Sequence, residues 1–128
     1  MRFLLDFHTF LWFVAGDARL SDRAREAIEE LSNDRYLSMA SVWEMAIKFG
    51  LSKLRLEPNF HEFLSTELER NLIGVAGIEL PHLYMVAELP FHHRDRFDRL
   101  LIAQCLVENW SLVSADESLD VYGIRRLW

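Results

Sequence analysis

The stretch RFLLD, residues 2–6, contains a short apolar strand that ends at an aspartate. A second stretch, SLVSAD at residues 111–116, has the same form and ends at Asp116. Apolar runs without polar alternation are typical of strands that are covered on both faces. In parallel sheets the carboxyl ends of the strands meet at one edge, where ligands bind. The two aspartates are therefore expected at that edge.

Helical patterns separate the strand-like segments along the chain. Helices are predicted near residues 9–14, 22–31, 41–50, 60–71, 81–89 and 97–109, with further strands at 35–39 and within 72–80, and a short helix before the terminal GIRRLW. Ser41 is the expected cap of the third helix and Gly50 its stop. This alternation predicts an α/β fold with a mostly parallel sheet covered by helices on both faces.

The composition is that of an ordinary globular protein, and a single domain over residues 1–128 is expected. Of the 128 residues, 51% are hydrophobic and 27% charged. No apolar run approaches the ~20 residues of a membrane span, and Asp6 and His8 interrupt the apolar start. The single Cys105, in an apolar run, predicts a buried thiol and a reducing cytoplasm. The net charge of −6 disfavours nucleic acid as a partner, unless several acids share one metal site.

A third acid, Glu44, could join Asp6 and Asp116. Glu44 lies in the helix after the second predicted strand, among apolar neighbours; alternatively it pairs with Lys48 at i,i+4 on a solvated face. Each aspartate at a strand end could equally be a turn residue or a helix cap. The pattern alone leaves these alternatives open.

The stretch HHRDRFDRLLIAQ, residues 92–104, holds two more carboxylates before an apolar helix. Asp95 and Asp98 have the spacing of an N-cap residue and the third helical position. Capping alone explains Asp95, whereas nothing in capping requires an acid at position 98. Asp98 stays open on this evidence.

Four motifs in order, LLDFH, SVWEMAIK, RDRFDRLLIAQ and LVSADE, resemble the PIN domain, and most of all the VapC toxins of toxin–antitoxin pairs. The resemblance covers nearly the whole chain. It implies a three-layer α/β/α sandwich and a ribonuclease that depends on Mg²⁺ or Mn²⁺, hard cations that prefer oxygen ligands. The acids that would bind the metal and carry catalysis are Asp6, Glu44, Asp98 and Asp116. Asp95 and Ser114 would lie beside these ligands.

The chain departs from the family pattern at two positions. Phe7 stands where the family commonly has a threonine, and Arg96 where it often has a proline. His8 could act as an acid or base beside Asp6, but a packing or hydrogen-bonding role is preferred. The adjacent His92 and His93 could be metal ligands, but solvation is the preferred interpretation.

The RNA substrate would meet two basic groups. Arginine and lysine suit phosphate contacts, although each side chain could instead balance a neighbouring acid. The residues proposed for RNA contact are Lys48, Lys53, Arg55, Arg94, Arg96 and Arg99. Trp12 and Trp43 could stack on bases, but core or interface packing is the preferred interpretation.

The resemblance also implies a homodimer and a cognate antitoxin, whose C-terminal segment lies in a groove near the acids. The apolar residues 10–13 could line that groove or belong to the core. Two other functions compete: a catalytically silent interaction domain, and a phosphotransfer or phosphatase domain with Asp6 as acceptor. The latter lacks the late lysine of receiver domains and has His8 where dehalogenase-type phosphatases have aspartate.

Overall fold

The computed structural model describes residues 1–128 and contains one five-stranded sheet. The strands are β1 (Arg2–Leu5), β2 (Asp34–Ser38), β3 (Gly74–Ala76), β4 (Ser111–Val113) and β5 (Arg125–Leu127). Their order is β3-β2-β1-β4-β5, and every neighbouring pair is parallel. The predicted parallel sheet is confirmed. β1 is its central strand, which explains why this segment is continuously apolar.

Helices cover both faces of the sheet. They are α1 (Phe7–Ala15), α2 (Asp22–Glu29), α3 (Met39–Gly50), α4 (Phe60–Arg70), α5 (Leu80–Glu88) and α6 (Arg96–Glu108), followed by a 3₁₀ helix at Glu117–Tyr122. Phe3 and Leu5 pack with α1, α2 and α4 in one core, whereas Leu4 packs with α5 and α6 in a second core. Alternate residues of one strand face opposite layers. The predicted three-layer α/β/α sandwich is therefore confirmed.

The apolar part of the 92–104 stretch fixes the position of α6. Residues 99–105 are all buried. Gln104 is a polar member of this buried run, and its amide nitrogen donates to the carbonyl of Gly77 at 3.0 Å while its amide oxygen accepts from the hydroxyl of Ser38. These bonds satisfy a buried polar side chain and attach α6 to the ends of β2 and β3.

The start of α3 differs from the prediction. The helix begins at Met39, and Ser38 is its cap, with its hydroxyl accepting from the amide of Ala40 at 3.0 Å. Ser41 was the expected cap, but it lies within the helix, and its buried hydroxyl has no partner. The last residue of β2 turns directly into the helix, so no loop separates them. Gly50 is the last residue of α3 rather than a residue beyond it.

Two expectations from composition can be compared with the structure. Cys105 is buried in the core between the sheet and α6, as predicted. Among the helices, none has the length and apolar character that crossing a membrane requires.

Candidate metal centre

The sheet topology brings Asp6 and Asp116 to the same edge. β1 and β4 are neighbours, with Leu5 opposite Val113 in the register. Asp6 follows Leu5 directly, and Asp116 lies in the turn that leaves β4. The sequence could predict two strand-end acids, and the structure confirms that their strands are adjacent.

Packing between α3 and α6 brings in the other two acids. The ring of Trp43 meets that of Phe97 edge-on, with centroids 5.0 Å apart, so the neighbouring Glu44 and Asp98 approach from two different helices. All four acids open into one cavity of about 170 Å³. The residues that line it are Asp6, Phe7, His8, Glu44, Asp95, Asp98, Leu101 and Asp116.

The two strand-end aspartates also cap helices. One oxygen of Asp6 accepts from the amide of Thr9 at 2.8 Å. One oxygen of Asp116 accepts from the amide of Ser118 at 3.0 Å and from its hydroxyl. Each carboxylate has its second oxygen free of protein hydrogen bonds. Capping and metal binding are therefore compatible, because each uses a different oxygen.

Asp95 is the N-cap of α6, as predicted. Its Oδ1 accepts from the amides of Phe97 at 2.8 Å and Asp98 at 2.9 Å. The carboxylate of Asp98, by contrast, accepts no hydrogen bond from the protein. The two acids of the 92–104 stretch thus have different surroundings although they line the same cavity.

The electrostatics of the cavity act most strongly on Asp98. Burial, and after it the negative charges of Asp95, Asp116, Asp6 and Glu44 in that order, raise the pKa of this carboxyl to about 7. A carboxyl surrounded by like charges resists ionisation unless a cation compensates them. The fold thus holds Asp98 where a bound cation would favour its charged form.

Glu44 combines parts of the two interpretations of its position, although it does not lie on a solvated face, because only 18% of its side chain is exposed. It lines the acidic cavity, and its carboxylate pairs with the ammonium of Lys48 at 3.1 Å. That ammonium also lies 4.6 Å from the centroid of the Phe7 ring. Phe7, which replaces the threonine of the family pattern, is buried in the core and forms part of the cavity wall.

The cavity residues fit a hard divalent cation in their chemistry. No three His, Cys, Asp or Glu side chains lie close enough together to form a ready-made metal-binding group. The cavity nevertheless presents five carboxylates and only oxygen donors apart from His8, and Lys48 pairs with one of them. Carboxylate oxygens are the ligands that Mg²⁺ and Mn²⁺ prefer. The excess negative charge of the cavity would attract a cation.

Residues next to the acids orient them. Ser114 is fully buried, and its hydroxyl accepts from the amide of Asp116 at 3.1 Å. Ser118 contacts Asp116 directly and was missed in the sequence, although serine two residues after aspartate is a known turn pattern. The expectation that His93 is solvated is wrong, because this half-buried ring lies 2.8 Å from the Ser118 hydroxyl.

Of the six predicted RNA-contacting cations, Lys48 pairs with Glu44, and the other five have three kinds of surroundings. Arg94 and Arg96 are exposed and make no ion pair, and Lys53 is exposed beside a groove. Arg55 is exposed and lies 3.5 Å from Glu57. Arg99 does not belong with them: it is buried, and its guanidinium donates to three carbonyls. Those carbonyls belong to Val86, Leu89 and Pro90.

A groove of about 500 Å³ lies beside the acidic cavity and shares Phe7 and His8 with it. Leu11 and Trp12 line the groove. Phe10 is fully buried and belongs to the core, and Phe13 packs against the same core. Only part of the apolar 10–13 run is therefore available to a partner.

The fold and the cavity together define a class: a parallel α/β sandwich with carboxylates gathered at the carboxyl edge of its central strands. The family model of the PIN domain matches residues 3–124. The chain therefore belongs to the PIN domain family.

Solved structures of the same fold come from several bacteria. VapBC2 from Rickettsia felis, bound to a DNA fragment from its promoter, is similar with a TM-score of 0.74 and 16% identity, covering 98% of this chain and 97% of that chain. VapBC-1 from nontypeable Haemophilus influenzae is similar with a TM-score of 0.70 and 12% identity, covering 98% of this chain and 96% of that chain.

FitAcB from Neisseria gonorrhoeae is similar with a TM-score of 0.67 and 16% identity, covering 97% of this chain and 95% of that chain. At these identities the likeness is one of fold. No curated protein matches the chain.

Proposed function

We propose that this protein is a VapC-type toxin, an endoribonuclease that depends on Mg²⁺ or Mn²⁺, and that residues 1–128 form one nuclease domain. The observation that carries the proposal is the convergence of Asp6, Glu44, Asp98 and Asp116 on one cavity from four different parts of the fold. PIN family membership supports a nuclease.

The four carboxylates would hold the metal, with Asp6 and Asp116 using the oxygens that do not cap helices. When bound, such an ion polarises a phosphodiester and lowers the pKa of water, so that no nucleophilic side chain is required. The chain itself contributes orientation: Asp95 fixes the start of α6, and Ser114 fixes the backbone at Asp116. The expected products carry a 5′-phosphate and a 3′-hydroxyl.

The RNA backbone would approach along exposed cations on two sides of the cavity. Lys53 and Arg55 lie along the groove, while Arg94 and Arg96 precede and open α6. Their positive charge would offset the net charge of −6 where the substrate passes. Lys48 lies between the groove and the cavity, because it lines the groove and pairs with Glu44.

The proposed protein partner is a cognate antitoxin. The motifs resemble those of VapC toxins, and the fold resembles that of VapBC2 and VapBC-1. The groove beside the cavity, with Leu11 and Trp12 in its wall, would accept the antitoxin's C-terminal segment. An arginine in that segment would form ion pairs with the carboxylates of the adjoining cavity.

A homodimer is proposed as well. α5 exposes Leu80, Leu83 and Tyr84, large apolar side chains that an isolated chain leaves in contact with water. Light scattering on the purified protein should give twice the 15.1 kDa mass. Leu83→Glu should shift it to the monomer.

Cleavage of a labelled RNA tests the activity. The purified protein should cleave with Mg²⁺ or Mn²⁺ and stop with EDTA, and Asp6→Asn should abolish cleavage. The matched control is Asp34→Asn, since Asp34 begins β2 at the opposite end of the strands and forms only an exposed ion pair with Arg2. Cleavage in EDTA, or products with a 2′,3′-cyclic phosphate, would contradict the proposal. A folded protein that binds its partner without cleaving any RNA would favour the silent interaction domain.

A further inference from the structure

The loop before α6 is bound to the 3₁₀ helix that follows Asp116. The amide of His93 donates to the hydroxyl of Tyr122 at 2.9 Å, and the two rings lie 5.5 Å apart. The imidazole Nε2 of His93 lies 2.8 Å from the hydroxyl of Ser118. These contacts join the segment that leads to Asp98 with the turn that carries Asp116.

The direction of the hydrogen bonds follows from the chemistry of the groups. The Ser118 hydroxyl contacts Oδ1 of Asp116, and an ionised carboxylate can only accept. Ser118 therefore donates its single proton to Asp116, and its oxygen accepts from His93. The imidazole proton must then be on Nε2. The other ring nitrogen, Nδ1, is buried without a partner, so a second ring proton there would have no acceptor.

We propose that His93 is a positioning residue for Asp116. Its Nε2–H, acting through the Ser118 hydroxyl, holds Oδ1 of Asp116 in place and leaves Oδ2 as the oxygen available to a cation. His93 does not line the acidic cavity, so it acts only through Ser118. Hydrogen bonds to a ligating carboxylate orient it and commonly change metal affinity by 10- to 100-fold. This consequence rests on the proposed metal-dependent function.

A purely structural role for His93 predicts something different. The bond that attaches the loop to Tyr122 comes from the backbone amide of His93 and survives any change of its side chain. The imidazole can therefore be altered while this attachment remains. If it served only to fill space, an apolar residue of similar size would replace it without changing metal affinity.

Titration of the intact protein with Mn²⁺ by calorimetry tests the proposal. His93→Leu should weaken Mn²⁺ binding roughly tenfold. His93→Gln should retain most of the affinity, because its amide can donate in place of Nε2–H. The matched control is His92→Leu, an exposed neighbour that also packs on Tyr122 and should change nothing. In a Ser118→Ala background, His93→Leu should cost no further affinity, because the link is already broken.

Nitrogen-15 NMR of the histidines provides a readout that needs no metal. The ring proton of His93 should be on Nε2, and Ser118→Ala should shift the Nε2 resonance, because the acceptor of this N–H is lost. If the wild type bound no Mn²⁺, the proposed metal site would fail, and the Nε2 resonance in the wild type and in Ser118→Ala would then support or overturn the hydrogen-bonded chain. A proton on Nδ1, wild-type affinity in His93→Leu, or equal losses in the Leu and Gln variants would overturn the proposal. If His93→Leu does not fold, Ser118→Ala provides the same comparison with the wild type.

Discussion

Oδ1 of Asp95 accepts the amide proton of Asp98 at 2.9 Å, so one carboxylate of the pair fixes the backbone of the other. Asp95 uses this oxygen for two amides at the start of α6. Asp98 accepts no hydrogen bond and carries a pKa raised to about 7 by burial and by four neighbouring carboxylates. The two acids are one helical turn apart, yet one is engaged in capping and the other is free to bind a cation.

Lys48 should compete with the metal. Its ammonium pairs with Glu44 at 3.1 Å, so Lys48→Met leaves the cavity more negative and should tighten Mn²⁺ binding about threefold or more. The same change should weaken RNA binding, because a cation near the substrate path is lost. Lys53→Met is the control: this exposed residue lines the groove only, so RNA binding should fall while Mn²⁺ affinity stays constant. Calorimetry for Mn²⁺ and filter binding for RNA measure the two effects; equal Mn²⁺ affinity in wild type and Lys48→Met would refute this role.

Arg99 should matter for stability rather than for RNA. Arg99→Met leaves three carbonyls without their charged donor and should lower the free energy of unfolding by roughly 2–4 kcal/mol. Arg96→Met, at an exposed position three residues earlier, should leave stability unchanged. It should instead weaken RNA binding and reduce the salt dependence by about 0.7 in the log–log slope. Urea unfolding measures the stability of the two variants, and RNA binding at several salt concentrations measures the slope. A loss of stability in Arg96→Met, with wild-type stability in Arg99→Met, would contradict this assignment.

Asp98 should destabilise the metal-free protein at high pH. Its pKa is about 7 in the folded state and near the ordinary value of 3.8 in the unfolded state, so folding favours the protonated form. The penalty is absent below pH 3.8, grows as the pH rises toward 7 and is constant above it. Asp98→Asn should therefore raise the melting temperature by a few degrees at pH 8 and much less at pH 4.

Thermal scans in EDTA at the two pH values measure this difference. Mn²⁺ should stabilise the wild type and have little effect on Asp98→Asn, since binding to the folded state adds to stability. If Asp98→Asn melted at a lower temperature than the wild type at pH 8 in EDTA, burial and the neighbouring carboxylates would not destabilise the ionised form of Asp98 as expected.

The order of strands and helices along the chain could be predicted from the sequence, because it depends on local patterns. The edge of the sheet at which the acids lie followed from the predicted parallel fold. The strand before Asp6 is a short apolar run without polar alternation, and the helix that carries Asp98 contains a longer apolar run. Asp98 itself could not be chosen over Asp95 from spacing alone, and the family resemblance decided between them. Once α6 is folded, the capping bond accounts for Asp95.

Long-range contacts could not be predicted. Arg99 was grouped with Arg94 and Arg96 because all three surround the same acids, but only the packing of α5 against α6 buries its guanidinium. His93 and Ser118 are 25 positions apart, and no local pattern connects them. Ser38 replaced Ser41 as a cap because the strand continues into the helix without a loop, which depends on tertiary structure.

Cleavage of one RNA by the wild type, Asp98→Asn and Asp95→Asn, each in Mn²⁺ and in EDTA, tests the central claim most directly. Asparagine caps helices about as well as aspartate, so Asp95→Asn should keep its fold and much of its activity. Asp98→Asn should fold at least as stably and lose cleavage by roughly a hundredfold or more. Loss of cleavage in Asp95→Asn together with wild-type cleavage in Asp98→Asn would contradict the assignment of Asp98 as the metal ligand.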